Sequence, residues 1–191
     1  MRFELVDKEI YKRDFITCYE KYNLNKVIDQ LGEKMVDNEF RAEAMAARCY
    51  FDLKKPVRKT VGSAGYDFTF PMTLRIDEGV TVRIPTGICW NAHEGGEHYV
   101  LMLYPRSSLG ISHSLREPNL VSIIDSDYYG NPKNGGHIMV NLRNEGHNGP
   151  CVIHPSSGYI QGIVTRYFLM EDDNVTETRI GGFGSTDIRA K

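Results

Sequence analysis

The sequence predicts a mainly β protein with a partly helical N-terminal segment, and three observations carry that prediction. Apolar residues recur every three to four positions only before about residue 53. Beyond residue 55 the period becomes two. Turn-forming residues separate the later apolar runs, with no helical pattern between them, which is the arrangement of an antiparallel sandwich or barrel.

The elements follow in order. Val27, Ile28, Leu31 and Met35 share one helical face. Residues 39–50, rich in Ala, Glu, Arg and Met, make a second helix behind a cap at Asp37 or Asn38, and Gly32 separates the two. Lys54-Lys55-Pro56 reads as a connection, dividing the chain into a partly helical extension, 1–53, and a β domain, 54–191, that ends in a flap at 179–191. Strands are expected at 67–70, 81–84, 99–104, 120–124, 138–142 and 160–164. Asp77-Glu78-Gly79, Gly95-Gly96, Gly130-Asn131-Pro132 and Asn148-Gly149-Pro150 supply turns between them.

Composition narrows the function. A chain of 191 residues holds one sizeable domain plus an appendage, and a formal net charge of −2 gives no electrostatic basis for a nucleic-acid or membrane partner. Cys18, Cys49, Cys89 and Cys151 are widely spaced, so free thiols fit better than a zinc site or a disulfide framework. No apolar run approaches the ~18 residues of a membrane span, and the start, with Arg2, Glu4 and Asp7, lacks a signal-peptide core. A cytoplasmic protein is expected.

Five stretches carry chemistry. In 61–67, small residues precede Asp67, which fits either a tight turn or a carboxylate assisting a metal-bound water. In 105–110, Pro105 ends strand pairing and Arg106, Ser107 and Ser108 then present a cation and two hydroxyls, suited to bridging phosphate oxygens or to an ordinary solvated turn. In 119–130 an apolar strand runs into Asp125, Asp127 and Tyr128, a hairpin able to hold a small ring and orient a water, or one with a merely polar turn. Gln161 stands in an apolar strand and needs partners. In 179–186, Gly181, Gly182 and Gly184 surround Phe183, with Arg179 before them and Ser185 and Thr186 after, making a nucleotide flap or a plain Gly/Ser terminus. The six histidines fall in no metal-ligand spacing, and most are expected at the surface.

Taken in order, Ser63-Ala64-Gly65-Tyr66-Asp67, Pro105-Arg106-Ser107-Ser108-Leu109-Gly110, Ile124-Asp125-Ser126-Asp127-Tyr128-Tyr129-Gly130, Gln161, and Arg179 through Thr186 resemble the five motifs of the trimeric dUTPases (deoxyuridine triphosphate nucleotidohydrolases) over about residues 54–187. The run from Asp125 to Met139 resembles the form in low-GC Gram-positive bacteria and their phages. The resemblance implies a β-clip or distorted jelly roll, assembled as a homotrimer with sites between chains. It implies hydrolysis of dUTP to dUMP and pyrophosphate, which limits uracil in DNA and supplies dUMP. Asp125 would activate the water, with Gln161, Ser107 and Arg106 completing the catalytic set. Asn119 and the backbone around Ile124 would read uracil, and Tyr128 would pack on deoxyribose. Ser108 would hold phosphates with Arg106 and Ser107, Arg179, Ser185 and Thr186 would grip the terminal phosphates, Gly110 and Gly184 would also bind substrate, and Phe183 would stack on the base. Mg2+ would be chelated by phosphates and water, with Asp67 at most in the outer shell.

Departures from that pattern are Ser122, where glycine is usual and whose side chain is expected to crowd the base, Ser156-Ser157-Gly158 in place of Gly-Asp-Arg, and Asp187 beside the phosphate grip. Two other functions compete. A dCTP deaminase needs a glutamate where Asn141 stands. A dUTP-sensing regulator would bind a protein partner through residues 1–53, whose alternative role is packing against the trimer.

Overall fold

The computed structural model describes residues 1–28, 38–92 and 98–176. Strand β1 (Arg2–Leu5) leads into helices α1 (Lys8–Lys21), α2 (Leu24–Ile28) and α3 (Asn38–Asp52). Strands β2 (Tyr66–Thr69), β3 (Leu74–Ile76), β4 (Thr81–Pro85), β5 (Ile88–Asn91) and β6 (Tyr99–Pro105) follow. Helix α4 (Ser107–His113), β7 (Leu115–Arg116), β8 (Ser122–Asp125), β9 (Met139–Asn144), β10 (Cys151–Ile153) and β11 (Gly158–Arg166) complete the described elements. The mainly β architecture, with three helices at the start and the short α4 among the strands, matches the fold class read from the sequence.

Among the described residues, the strands form small antiparallel sheets rather than one continuous one. The largest has the order β2-β11-β6-β8, and a second has β4-β9-β7. Alternation positions the core: along β4 and β9, Val82, Ile84, Val140 and Leu142 turn inward, while Arg83 and Asn141 pair on the other face. The 119–130 segment departs from the hairpin expected of it. Strand β8 pairs with β6 and β9 with β4, so the two strands on either side of the turn enter different sheets. The apolar run 120–124 cannot distinguish these pairings, because periodicity specifies a face and not a neighbour.

The N-terminal segment is packed into the β domain. Strand β1 pairs with β5, and one hydrophobic cluster joins Tyr11, Phe15 and Cys18 to Phe68, Leu101 and Tyr159. Residue 53 therefore marks a change in secondary structure and not a break in packing. Helix α1 was not foreseen, although its signals are present. Asp7 caps it, accepting from the Glu9 and Ile10 N–H groups at 2.8 and 3.2 Å. Tyr11, Asp14, Phe15, Cys18 and Tyr19 then fall on one buried face at helical spacing. All four cysteines are free and buried, and burial pushes the Cys18 and Cys49 thiols up to about 12, so they are inert core residues.

Two side-chain tethers fasten this segment to the turn that follows β8. The Tyr129 hydroxyl donates to Glu4 Oε2 at 2.8 Å, and Arg2, Tyr129 and Asn91 together hold the Glu4 carboxylate down at about 2. Among the described histidines His137 is the exception to the expected surface placement, with no exposed area. Its Nε2 accepts from the Gly87 N–H at 2.9 Å, so Nδ1 carries the proton and donates to Asp14 Oδ2 at 2.8 Å. A second proton would sever the Gly87 bond, and burial holds the imidazole below its ordinary value despite Asp14.

A histidine depressed in the folded state contributes stability that is complete above the unfolded value of about 6.5 and is lost as pH falls toward the folded one. The melting temperature should accordingly decline on acidification below that point, and Asp14→Ala, leaving the buried Nδ1–H unpaired, should cost about 1–3 kcal/mol by denaturant titration at pH 7.5.

Candidate active site

Strands β2, β11 and β6 lie side by side, and their register brings together motifs far apart in sequence. Gln161 stands opposite Asp67 on one side and Tyr104 on the other. Arg106, directly after β6, places Nε 3.5 Å from Asp67 Oδ1. The Asp67 side chain is nearly enclosed and that of Arg106 is 38% exposed, so the carboxylate fixes the guanidinium while part of the fork stays open to a ligand. Ser107 and Ser108 are exposed at the start of α4, whereas Gly110 lies within that helix.

Two glycines make this crowding possible. A Cβ on Gly158 would stand 2.9 Å from Arg106 Cδ and 3.1 Å from Asp67 Cγ. One on Gly65 would stand 2.5 Å from Gln161 Oε1. Gly158 is the third residue of the Ser-Ser-Gly departure, and here the ion pair beside the site runs between Asp67 and Arg106. Gly158→Ala should push Arg106 aside and lower kcat/KM by about tenfold or more, since small displacements of a positioning cation are costly. Steady-state kinetics, with a melting curve to show an intact fold, would measure it.

The second cluster lies around the end of β8. Asp125 is its last residue and is half-buried. Ile124 is buried in the core, so only its backbone can meet a ligand, whereas Asn119 is exposed on the preceding loop. Tyr128 is only 4% exposed, with its hydroxyl donating to the His137 carbonyl at 3.3 Å and accepting from Asn134 Nδ2 at 2.8 Å. Its ring helps line a cavity of about 370 Å³ with Arg13, Tyr22, Arg83 and Met139, so α1 forms a wall beside this residue. Ser122 does not crowd the mouth of the loop; its hydroxyl turns inward and donates to Glu117 Oε1 at 2.6 Å. Glu117, like Asp14 and His137, was not singled out from sequence. A carboxylate within an otherwise polar loop gives no sign of being buried.

The two clusters stand apart on one chain. Along β6, Asp125 pairs opposite Val100, while Arg106 follows Pro105 at the other end. At about 3.3 Å per residue, that separation is roughly 20 Å. Arg179, Phe183, Gly184, Ser185 and Thr186 lie outside the described residues. Among the described residues no group of three or more His, Cys, Asp or Glu side chains gathers as a metal site, and no helix is long and apolar enough to cross a membrane.

The described strands thus form a mainly β fold that gathers a fixed arginine, serine hydroxyls and a strand glutamine at one end of β6 and an aspartate at the other. The family model for dUTPase matches residues 52–149, and the chain belongs to the dUTPase family. It is 36% identical over 138 residues to the deoxyuridine 5'-triphosphate nucleotidohydrolase of Bordetella pertussis, covering 69% of this chain and 87% of that protein. The enzyme of the same name from Lactococcus lactis is 38% identical over 134 residues, covering 69% and 86%. Among solved structures, the dUTPase of Streptococcus mutans superposes with a TM-score of 0.53 at 33% identity, over 61% of this chain and 88% of that one. A mutant dUTPase from phage phi11 of Staphylococcus aureus, described with a structural Mg(II) ion, shares the fold at 18% identity and a TM-score of 0.51, over 66% and 92%.

Proposed function

We propose that this chain hydrolyses dUTP to dUMP and pyrophosphate at sites built between the subunits of a homotrimer. The observation that supports the shared site is the roughly 20 Å of backbone along β6 between Asp125 and Arg106, a wide span for one triphosphate that favours drawing the two residues from different chains. Asp125 of one chain takes a proton from water as the water oxygen bonds to the α-phosphorus. The bond from the α-phosphorus to the α,β-bridging oxygen breaks, and its electrons leave with pyrophosphate. Arg106, Ser107 and Ser108 of a second chain offset the charge that grows on that bridge, and Gln161 orders the hydrogen bonds beside it. Asn119 and the backbone at Ile124 read uracil, and Tyr128 forms the wall at the sugar. Arg179, Phe183, Gly184, Ser185 and Thr186 act as the lid.

Among the described residues no carboxylate cluster could cage Mg2+, which would be held by triphosphate oxygens and water, where it would neutralise phosphate charge. Asp67 spends its carboxylate on Arg106 and supports no more than an outer-shell contact.

Deamination of dCTP fits less well. Asn141 accepts from Arg83 Nε at 2.9 Å, which makes it an anchored amide and not a proton shuttle. A regulatory role through residues 1–53 fits less well than bracing, because β1 pairs with β5 and the buried face of α1 packs into the β domain, while the large exposed apolar groups on the described part of α3 are Phe40 and Phe51. The test is to offer dUTP, dCTP, dTTP and UTP with magnesium and follow pyrophosphate and ammonia. Pyrophosphate from dUTP alone is the expected result, and ammonia from dCTP would overturn the assignment.

A further inference from the structure

Glu117 is a carboxyl without a role in the mechanism above, and it is placed beneath the loop that carries Asn119. It is 2% exposed, and none of the described ion pairs includes it. Its Oε2 accepts from the Ser122 N–H at 3.1 Å and its Oε1 from the Ser122 hydroxyl at 2.6 Å. The side chain therefore spans from residue 117 to the first residue of β8, closing a loop with Asn119 at its centre. Inside that loop the Leu120 N–H donates to the Glu117 carbonyl at 2.9 Å and the Val121 N–H to the Asn119 carbonyl at 2.7 Å. Leu120 sits at φ 66°, a left-handed conformation that side chains other than glycine avoid, and its own side chain is exposed. The loop's shape thus needs an external hold, and the Glu117 carboxyl supplies one.

We propose that Glu117 is a positioning residue for base recognition: through its paired bonds to the Ser122 amide and hydroxyl it fixes the 117–122 loop in the shape that presents Asn119 to the base. Ser122, which stands where the family usually has glycine, is then the other half of a buried pair and no obstruction to the base. Removing the Glu117 carboxyl leaves both Ser122 donors enclosed and unpaired, and removing the Ser122 hydroxyl leaves Glu117 Oε1 without that partner, so the two side chains depend on each other. Burial pushes the Glu117 carboxyl up to about 7 against the two Ser122 bonds. Among the described residues, the titratable side chain facing it from another element is the buried Tyr159 phenol on β11, whose hydroxyl has no hydrogen-bond partner there. In an opened, solvated loop the carboxyl returns to its ordinary value of about 4.5, so the clamp weakens as pH rises from there to about 7 and changes little above it.

The proposal rests on the assignment of Asn119 to the base, which Asn119→Ala tests separately: unchanged KM in that variant would sink the assignment whatever Glu117 does. Steady-state kinetics with dUTP and magnesium from about pH 5 to 9 test Glu117 itself. Glu117→Gln keeps an acceptor for the amide and a partner for the hydroxyl, and should hold KM within about twofold of the wild-type value at about pH 5 across the range. Glu117→Leu should raise KM about tenfold or more while kcat stays within about threefold. Wild-type KM should rise between about pH 5 and about 7 and level off above it, and the Glu117→Gln profile should stay flat. Wild-type KM in a folded Glu117→Leu variant, equal effects of Gln and Leu, a fall in kcat at constant KM, or parallel pH profiles would each overturn the proposal. If Glu117→Leu does not fold, Ser122→Ala decides: a KM rise of about threefold or more supports the clamp, and an unchanged KM removes it.

Discussion

Asp125→Asn should bind dUTP nearly as well as the parent chain and turn it over about 10²–10⁴-fold more slowly. The substitution is close to isosteric and falls on the last residue of β8, where the backbone is already fixed by pairing with β6. Binding draws on the base loop, the Tyr128 wall and the phosphate grip, none of which the amide disturbs. What the amide cannot do is accept the proton of the attacking water, so the loss belongs in kcat. Pyrophosphate release gives kcat, and calorimetric titration, feasible because turnover is slow, gives the dissociation constant. Near-normal turnover would move the water-activating role to another group. A loss confined to affinity would make Asp125 a binding residue.

Legibility from the sequence followed the physics of each element. The β class and most strands were evident because half-buried strands impose a period of two, and the candidate site residues were evident because Gly, Pro, Arg, Ser and Asp at fixed spacing are unusual in turns. The partners of those strands were not. Residues 120–124 read as one arm of a hairpin, yet β8 turns to β6, a choice made by tertiary packing that leaves no local mark. Helix α1 was overlooked despite the Asp7 cap, because its buried face includes Asp14 and two tyrosines and so lacks a clean apolar stripe. Its role follows from contacts more than 100 residues away: Asp14 on His137 and Glu4 on Tyr129 brace the turn after Asp125 from a segment that reads as an appendage. For the same reason deletion of residues 1–50 cannot separate a partner-binding role from an enzymatic one, since it strips β5 of its partner strand and exposes the face that Tyr11 and Phe15 cover. Ser122 shows the limit of reading single departures, as its meaning depends on Glu117 five residues earlier.

Two inactive variants should restore each other. Arg106→Gln, which retains a donor for the buried Asp67 carboxylate but loses the fork, should be nearly inactive alone, as should Asp125→Asn. If each site takes Asp125 from one chain and Arg106 from another, co-refolding the two in equal amounts yields trimers in which some sites draw both intact residues from different parents. Random assortment gives each requirement a chance of about one half, so about one quarter of sites are complete and about one quarter of wild-type activity should return. Mixing the folded variants without subunit exchange should return none. The result is sensitive to geometry and not to the size of either single defect. A site formed within one chain needs both residues on that chain, and neither parent supplies them, so recovery would then be absent however the chains assort. Recovery near one quarter would show that the separation along β6 is bridged by assembly, and its absence in verified mixed trimers would overturn the shared site.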